Sequence, residues 1–310
     1  MKFLFVVDPL ASLKPHKDSS VAMMRAARAR GHDVHVCEAR QLYVRLGVAC
    51  ADCDALDVAP GEDGFRVLAR RESPLAEFDA VVMRTDPPVD TGYLLASHLL
   101  GIAEANGARV LNRPSALRDF NEKLAILNFP QFIAPTLVAA EKIEIEAFLL
   151  EHRDIIVKPL TEMGGAGIFR LTPHDPNRNV ILETLTRKGQ RPIMAQRYLP
   201  DIIDGDKRIL LIDGEVIPFA LARIPQPGET RGNLAAGGTA RAQPLSERDR
   251  EIAAAIAPWA RERGIFLAGL DVIGDCLTEI NVTSPTGFQE ITAQTGFDVA
   301  ARFVEALERG

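Results

Sequence analysis

The sequence predicts an α/β domain with a parallel sheet, followed by an α+β unit built on β-hairpins. In the first 120 residues, short apolar runs alternate with helical periodicity, which is typical of a sheet covered by helices on its faces. Further on, apolar runs are joined by tight turns such as Asp213-Gly214, which favours hairpins. The 310 residues also exceed what one hydrophobic core usually fills, so at least two domains are expected.

The first half is predicted to alternate strands and helices. Gly31 and Asn106-Gly107 stand where the two predicted helices should end. The predicted elements are strand Lys2 to Val7, helix Ser19 to Arg30, strands Asp33 to Glu38 and Ala80 to Met83, helix Thr91 to Ala105 and strand Ala108 to Leu111. We expect these strands to form one parallel layer.

The second half changes character near Asn121. Helices are predicted at Glu122 to Leu127, Glu141 to Glu151, Asn177 to Lys188 and Glu247 to Arg263. Strands are predicted at Thr136 to Ala139, Asp154 to Lys158, Ile168 to Leu171, Ile193 to Gln196, Lys207 to Ile212, Glu215 to Ala222, Ile265 to Ile273 and Leu277 to Val282. The last two pairs are expected to be hairpins.

Composition excludes several classes of function. The formal charge is -6, from 36 basic and 42 acidic residues, so a basic surface that follows a nucleic-acid backbone is not expected. No run of about 18 uncharged apolar residues occurs, which predicts no membrane span, no signal peptide and a cytoplasmic location. Cys50 and Cys53 have the spacing of a redox pair or half of a zinc site, but no second pair completes one, so they are interpreted as incidental reduced thiols.

The first domain lacks the fingerprint of a dinucleotide site. That fingerprint needs glycines directly after the first strand, because only glycine lets the backbone approach a pyrophosphate. The first glycine of the chain is Gly31, and the loop after the first strand is polar and ends in Asp18-Ser19-Ser20, which suits a helix N-cap. Such a loop could hold a small polar ligand at the carboxyl end of a strand.

A phosphate site is indicated where Lys158 ends an apolar strand and Gly164, Gly165 and Gly167 follow. A lysine beside unobstructed backbone N–H groups suits phosphate oxygens. A tight turn with an exposed lysine is nearly as good an interpretation, and the chain has no Walker-type motif.

The final hairpin carries Asp271, Glu279 and Asn281. If the connecting loop is the three residues 274–276, Asp271 lies directly across from Glu279 and Asn281 shares their face. Two carboxylates and an amide oxygen that face one another fit Mg²⁺. A two-residue Gly274-Asp275 turn would instead put the two acids on opposite faces, so register alone leaves the metal site open.

A long glycine-rich segment runs from Arg223 to Gly238. It has few large apolar residues, and a segment of this kind is usually disordered or a functional lid. Arg223 and Arg231 favour a lid over an anionic ligand. The charged run Asp206-Lys207-Arg208 would, taken alone, be an ordinary solvated strand end.

Taken together, these segments resemble the bacterial glutathione synthetases of the ATP-grasp superfamily, in family order from end to end. The matching segments are Lys17-Asp18-Ser19-Ser20, Met83-Arg84-Thr85-Asp86-Pro87-Pro88, Leu117-Arg118-Asp119-Phe120-Asn121-Glu122-Lys123-Leu124, Val157-Lys158-Pro159-Leu160, Gly205-Asp206-Lys207-Arg208, Leu221 to Gly238, Leu270 to Asp275 and Thr278 to Thr286. The resemblance implies an N-terminal pre-ATP-grasp domain (1–121) and an ATP-grasp fold of two subdomains. These are a lid subdomain (122–202) and a C-terminal subdomain (203–310) with the metal site and a flexible loop at 224–240.

The resemblance implies ATP-dependent ligation of γ-glutamylcysteine to glycine through an acyl phosphate, the second step of glutathione biosynthesis. It implies Mg²⁺, with Mn²⁺ as an alternative, ATP as co-substrate, and a cytoplasmic homotetramer. No nucleic acid or membrane partner is expected.

The same resemblance implies roles for particular residues. The catalytic residues would be Arg208, Arg223, Arg231 and Asn233. The ATP-binding residues would be Lys123, Lys158, Gly164, Gly165, Gln196, Tyr198, Leu199 and Asp206, with backbone groups of Gln196, Tyr198 and Leu199 reading adenine. The metal ligands would be Asp271, Glu279 and Asn281. The substrate contacts would be Asp18, Ser19, Arg84, Asp86, Ser284, Pro285 and Thr286.

Three positions depart from the family pattern. Glu162 stands where a further glycine is expected, Thr239 where an arginine can occur, and Gln289 where a basic residue is common. Two other functions remain open at this point: another ATP-grasp carboxylate–amine ligase, and a nucleotide-binding regulator without catalysis.

Overall fold

The computed structural model of the chain describes residues 1–58, 64–226, 232 and 239–310. Within these residues the chain forms three β-sheets with eight α-helices packed around them. The sheets comprise strands from residues 2–111, 136–197 and 206–281.

The first sheet is mixed. Its strands are β1 (Lys2–Val6), β2 (Asp33–Cys37), β3 (Leu42–Arg45), β4 (Val48–Val58), β5 (Phe65–Pro74), β6 (Ala80–Met83) and β7 (Val110–Leu111), in the order β3-β4-β2-β1-β6-β7 with β5 on β4. The four predicted strands, β1, β2, β6 and β7, are parallel as expected. The antiparallel extension β3 to β5 was not predicted.

Three helices belong to this part of the chain: α1 (Ser19–Ala29), α2 (Thr91–Ala105) and α3 (Pro114–Asp119). Both long helices begin after an aspartate that accepts from free backbone N–H groups. The Asp18 carboxylate lies 2.7 Å from Ser20 N, and that of Asp90 lies 2.8 Å from Tyr93 N. Asp18 is thereby fixed at the end of the loop that follows β1.

The second sheet is antiparallel and small. Its strands are β8 (Thr136–Ala139), β9 (Ile155–Pro159), β10 (Phe169–Leu171) and β11 (Ile193–Arg197), in the order β10-β9-β11-β8. Helices α4 (Lys142–His152) and α5 (Arg178–Leu185) cover one face, where Ile145, Leu149 and Leu182 are buried against it. On the other face, Met194 of β11 is buried in the main hydrophobic core.

The helix predicted from Glu122 to Leu127 is wrong, because the chain forms only a 3₁₀ helix at Leu124–Asn128. The Asn121 side chain accepts from the backbone N–H groups of Lys123 and Leu124, and Pro130 restricts the residue before it. This short element holds Lys123 beside the third sheet.

The third sheet is antiparallel throughout. Its strands are β12 (Asp206–Ile212), β13 (Glu215–Ile224), β14 (Thr239–Pro244), β15 (Leu267–Ile273) and β16 (Cys276–Asn281), in the order β14-β13-β12-β15-β16. Helices α6 (Glu247–Glu262), α7 (Phe288–Thr295) and α8 (Val299–Arg309) pack against it. The two predicted hairpins and α6 are present, whereas β14, α7 and α8 were not predicted.

Asn112 joins the first and third sheets. Its side-chain amide donates to Leu267 O at 2.8 Å and to Val282 O at 2.7 Å, and its oxygen accepts from Leu267 N at 2.8 Å. The hydrophobic core is continuous across this junction. The carboxyl ends of β1 and β6 therefore lie at a fixed position relative to the β15–β16 hairpin.

The cysteine pair lies within the first sheet. Cys50 and Cys53 are both on β4, and residues three apart on a strand point to opposite faces, so the two thiols do not face each other. Cys53 Sγ lies 3.4 Å from Arg71 O.

Among the described helices, none combines the length and the hydropathy that a membrane span requires.

Candidate active site

A cavity of about 490 Å³ lies where the three sheets meet. Residues from all three predicted parts of the chain line it. Of the residues predicted for the site, those on its wall are Asp18, Asp86, Lys123, Lys158, Gly164, Gly165, Gln196, Tyr198, Leu199, Asp206, Arg208, Arg223, Asp271, Glu279, Asn281, Ser284, Pro285 and Thr286.

Two lysines mark one side of the cavity. Lys158 comes from β9, and its Nζ donates to Thr278 O at 3.1 Å. Burial lowers the pKa of Lys158 to about 8, and the nearby Lys123 adds to this effect. Lys123 Nζ lies 2.7 Å from Glu279 Oε1 and 2.8 Å from Glu162 O. Two buried ammonium groups thus stand side by side in the wall.

The glycine-rich turn lies beside these lysines. Gly164 and Gly165 have φ values of +64° and +83°, which side chains rarely allow. Glu162, which replaces an expected glycine, is an exposed residue whose backbone carbonyl accepts from Lys123. The contact with Lys123 is made by the main chain of residue 162, so it does not require a glycine at this position.

Asp271 and Glu279 pair directly across β15 and β16, an arrangement that the sequence left open. It does not arise from a three-residue loop. The turn has only two residues, Gly274-Asp275, and an unbroken ladder after it would put the acids on opposite faces. A β-bulge makes Thr278 an extra residue on β16 and shifts the register by one. The bulge thus restores the facing arrangement.

Asp271 is held by two arginines. Arg208 donates to it through Nε at 2.5 Å and Nη2 at 3.0 Å, and Arg223 Nη2 lies 2.9 Å away. Burial alone would raise the pKa of Asp271, but the two guanidinium groups hold it well below its usual range. The carboxylate therefore stays ionised, and it orients both arginines toward the cavity.

Asp206 shares Arg223 with Asp271. Its Oδ2 lies 2.5 Å from Arg223 Nη2, and its Oδ1 is buried without a hydrogen-bond partner in the described part of the chain. Burial raises the pKa of Asp206 to about 6, although Arg223 opposes the shift. Burial alone would lower the pKa of Arg223, but the two carboxylates raise it. One oxygen of Asp206 is thus left for a donor from a ligand.

The donor set suits a hard divalent cation. Glu279 and Asp271 supply carboxylate oxygens, and Asn281, whose Nδ2 lies 3.1 Å from Asp271 Oδ2, supplies an amide on the same face. Asp271 would share its oxygens between the ion and the arginines. Among the described residues, no cluster of three or more His, Cys, Asp or Glu side chains has metal-binding geometry.

The face of the second sheet that does not pack on α4 and α5 forms another part of the cavity wall. Gln196 lies here, and its side chain donates to Thr136 Oγ1 at 2.9 Å. Tyr198 N donates to Asp154 O at 3.0 Å, so this N–H is not available to bind adenine. Of the two backbone groups of Tyr198, only the carbonyl can still take the predicted adenine contact. Apolar residues of the cavity that were not predicted as site residues include Ala134, Ile156 and Ile202 near this sheet and Leu221 and Ile273 on the third sheet.

The opposite end of the cavity is formed by loops. Ser284 donates to the Asp86 carboxylate, which ties the loop after β6 to the segment after β16. Ser19 and Arg84, two of the predicted substrate contacts, lie next to the wall and not on it. Ser19 Oγ accepts from Phe288 N at 3.3 Å, and the buried Arg84 donates to Pro285 O at 3.0 Å. Both residues support the wall from behind.

Arg231 and Asn233 lie outside the described residues, as does most of the predicted 224–240 loop. Thr239 is described and begins β14.

Comparisons with known proteins assign the family. The family description "Prokaryotic glutathione synthetase, N-terminal domain" matches residues 1–118, and "Prokaryotic glutathione synthetase, ATP-grasp domain" matches residues 122–296. The glutathione synthetase of Neisseria meningitidis serogroup A is 58% identical over 99% of this chain and 98% of its own length. The chain belongs to the prokaryotic glutathione synthetase family.

Other relatives agree with this assignment. The glutathione synthetase of Ralstonia nicotianae is 54% identical over the whole chain and 96% of its own length. Among solved structures, D-cycloserine synthetase DcsG has a TM-score of 0.70 at 18% identity, with 99% of each chain covered, which shows a common fold. The ATP-grasp fold, the ATP-dependent ligase activity and the glutathione synthetase function predicted from the sequence are thereby confirmed.

Glu122 also lines the cavity and was not predicted as a site residue from the sequence. The half-buried Glu122 accepts from Val282 N at 2.8 Å, from Thr283 N at 3.0 Å and from Thr283 Oγ1 at 2.8 Å. Burial raises the pKa of Glu122, and the charge of Glu279 adds to the rise. Glu122 holds the backbone between Asn281 and Ser284, which joins the metal ligands to the substrate end.

Proposed function

We propose that this cavity joins the cysteinyl carboxylate of γ-glutamylcysteine to the amine of glycine. ATP first phosphorylates the carboxylate, the amine then attacks the acyl phosphate, and phosphate leaves together with glutathione and ADP. One observation carries the residue-level proposal: four cations, Lys123, Lys158, Arg208 and Arg223, none more than 8% exposed, converge on the facing acids of one cavity. Buried positive charge of this kind suits phosphoryl transfer.

Lys123 and Lys158 hold the α- and β-phosphates in this proposal, and the turn at Gly164 and Gly165 offers them backbone N–H groups. Adenine lies on the apolar wall, where backbone groups of Gln196 and Leu199 and the carbonyl of Tyr198 read its edge. The buried Asp206 Oδ1 accepts from a ribose hydroxyl. Its lack of a protein donor within the described residues supports that role.

Asp271, Glu279 and Asn281 hold a divalent ion, with Mg²⁺ the first choice and Mn²⁺ the alternative. The ATP-grasp ligase PsnB, at 18% identity and a TM-score of 0.63, is described as a complex with Mg and ADP. When bound, the ion supplies charge neutralisation between the phosphates. Lys123 then serves both the phosphates and Glu279, since its Nζ already contacts that carboxylate.

Arg208 and Arg223 stabilise the charge that develops on the transferred phosphoryl group and on the tetrahedral intermediate. Their orientation is set in advance by Asp271, so little reorganisation accompanies the reaction. Arg231 and Asn233 belong to the 224–240 loop, which is proposed to exclude water from the acyl phosphate.

The dipeptide occupies the loop end of the cavity. Asp18 and Asp86 face its charged groups, and Ser284, Pro285 and Thr286 line the glycine side. Ser19 and Arg84 act through the residues that they support. The reaction is proposed to be cytoplasmic because ATP and the reduced thiol are available there, and the homotetramer stays a prediction.

Phosphate release tests this proposal. The purified protein with Mg-ATP should release phosphate only when γ-glutamylcysteine and glycine are both present, and omission of either should reduce the rate to background.

Glu279→Ala should abolish turnover and keep the fold, and Glu144→Ala, at an exposed site on α4, is the matched control. Turnover with other acid and amine pairs but not with this one would contradict the proposed substrates, and full activity of Glu279→Ala would contradict the metal assignment.

A further inference from the structure

The polar loop after β1 forms part of the cavity wall. Its second half, residues 14–18, contributes Lys14, Lys17 and Asp18 to that wall. Lys14 and Lys17 are exposed residues, and none of the described strands pairs with this segment. The position of both lysines therefore depends on a few polar contacts.

Gln289 on α7 makes two of those contacts. Its Nε2 lies 2.6 Å from Asp18 O and 3.2 Å from Pro15 O. Both partners are carbonyl oxygens, which only accept, so the amide must present its NH₂ group to them. The orientation of the Gln289 side chain is thus fixed by the segment that it contacts.

The neighbouring anchors leave this middle part to Gln289 and one other side chain. Leu10 and Leu13 pack on the core before the segment, and Asp18 caps α1 after it. Between them, Pro15 O also accepts from Arg25 Nη1 at 2.9 Å. Within the segment, the backbone N–H groups of Lys17 and Asp18 donate to Lys14 O at 3.0 Å and 2.9 Å, which forms a turn. Gln289 contacts two carbonyl oxygens of this turn, three residues apart, and so fastens the turn to α7.

We infer that Gln289 is a positioning residue whose amide holds residues 14–18 against the cavity, so that Lys14 and Lys17 bind the glutamyl α-carboxylate of the dipeptide, the carboxylate that does not react. The second part of this inference rests on the proposed function. γ-Glutamylcysteine carries two carboxylates and one ammonium group, so a pair of lysines at its end of the cavity complements its net charge. Gln289 itself contacts neither the substrate nor the reacting atoms.

Hydrogen exchange tests the holding contact without reference to activity. Gln289→Met keeps the side-chain length and removes both donors. We expect the amides of Lys17 and Asp18 to exchange about ten-fold faster, the loss expected for one or two net hydrogen bonds. Gln294→Met is the matched control, since Gln294 lies on the same helix but contacts Ala240 and Ala242 instead. It should leave these two amides unchanged.

Steady-state kinetics test the consequence. Gln289→Met should raise KM for γ-glutamylcysteine about ten-fold and leave kcat and the KM for ATP within about two-fold. Gln289→Arg should restore both the protection and the KM, because its Nε lies as many bonds from the backbone as Nε2 of glutamine and can donate to the same carbonyls. If the Met variant does not fold, Gln289→Glu, which cannot donate, replaces it.

If the amides of Lys17 and Asp18 exchange at the wild-type rate in Gln289→Met or Gln289→Glu, the inference is overturned, whether or not the KM for γ-glutamylcysteine rises. A wild-type protein that does not turn over γ-glutamylcysteine would refute the proposed function instead, and the exchange experiment would still report on Gln289.

Discussion

At the scale of single residues, the site is a balanced set of buried charges. Four cations and the carboxylates of Asp206, Asp271 and Glu279 occupy one cavity wall. Each of these carboxylates has a cation within 3 Å, which offsets much of the cost of removing it from water. Lys158 differs, since its Nζ donates to a backbone carbonyl and its pKa is lowered to about 8 by burial.

Lys158 should therefore make ATP binding depend on pH. The lysine is mostly protonated below pH 8 and loses its charge above it, so the Kd for ATP should rise by up to about ten-fold per pH unit above 8. Equilibrium titration with ATP between pH 6.5 and 9.5 measures this. Lys158→Arg is the control, because a guanidinium stays charged over that range and should flatten the profile. A flat wild-type profile, or an equal rise in the arginine variant, would contradict the role of Lys158.

At the scale of secondary-structure elements, the junction between the first and third sheets depends on Asn112. Its three hydrogen bonds satisfy both backbone groups of Leu267 and the carbonyl of Val282. Because β16 ends just before Val282, this junction also sets where the metal ligands lie relative to the loops of the first domain.

Asn112→Ala should lower the free energy of unfolding by about 3 kcal/mol, because it leaves buried backbone groups without partners. Urea denaturation measures the change. Asn106→Ala is the matched control: the exposed Asn106 accepts one hydrogen bond from Ala49 N, and its loss should cost about 1 kcal/mol or less. Equal effects of the two substitutions would show that Asn112 does not join the sheets.

Elements with a clear period or a strong turn were predictable from the sequence. The parallel strands β1, β2, β6 and β7 and the Asp213-Gly214 hairpin are present because apolar runs and turn residues determine them locally. Strand β5 was missed because seven of its ten residues are exposed, so its sequence carries no burial pattern. Helices α7 and α8 were also missed, although Asp298 caps α8 in the ordinary way.

In the candidate site, too, some features could be proposed from the sequence and others could not. The charged residues were proposed from the resemblance to the family, because the pattern alone allowed a solvated strand end at Asp206 to Arg208 and an exposed lysine at Lys158. The bulge at Thr278 was not, because turn length and ladder register compete and tertiary contacts decide between them. The positions of Ser19 and Arg84 behind the wall also depend on packing between distant segments, which spacing along the chain does not reveal.

At the scale of the whole molecule, a net charge of -6 conceals a cluster of buried cations in one cavity, where they stand among acidic side chains. The cations converge where three sheets meet, and each sheet supplies part of the wall. In the proposed mechanism this arrangement separates the nucleotide, against the second sheet, from the dipeptide, against the loops of the first. The facing acids and the arginines of the third sheet lie between them, where the phosphoryl group must pass.

Transfer of the γ-phosphoryl group to the cysteinyl carboxylate before the peptide bond forms is central to this mechanism. Turnover of γ-glutamylcysteine labelled with ¹⁸O in that carboxylate, followed by mass spectrometry of the released phosphate, tests it directly. The mechanism predicts one ¹⁸O atom in each phosphate, because the carboxylate oxygen that bonds to phosphorus leaves with it. Phosphate without the label, formed at the same rate as glutathione, would contradict the mechanism.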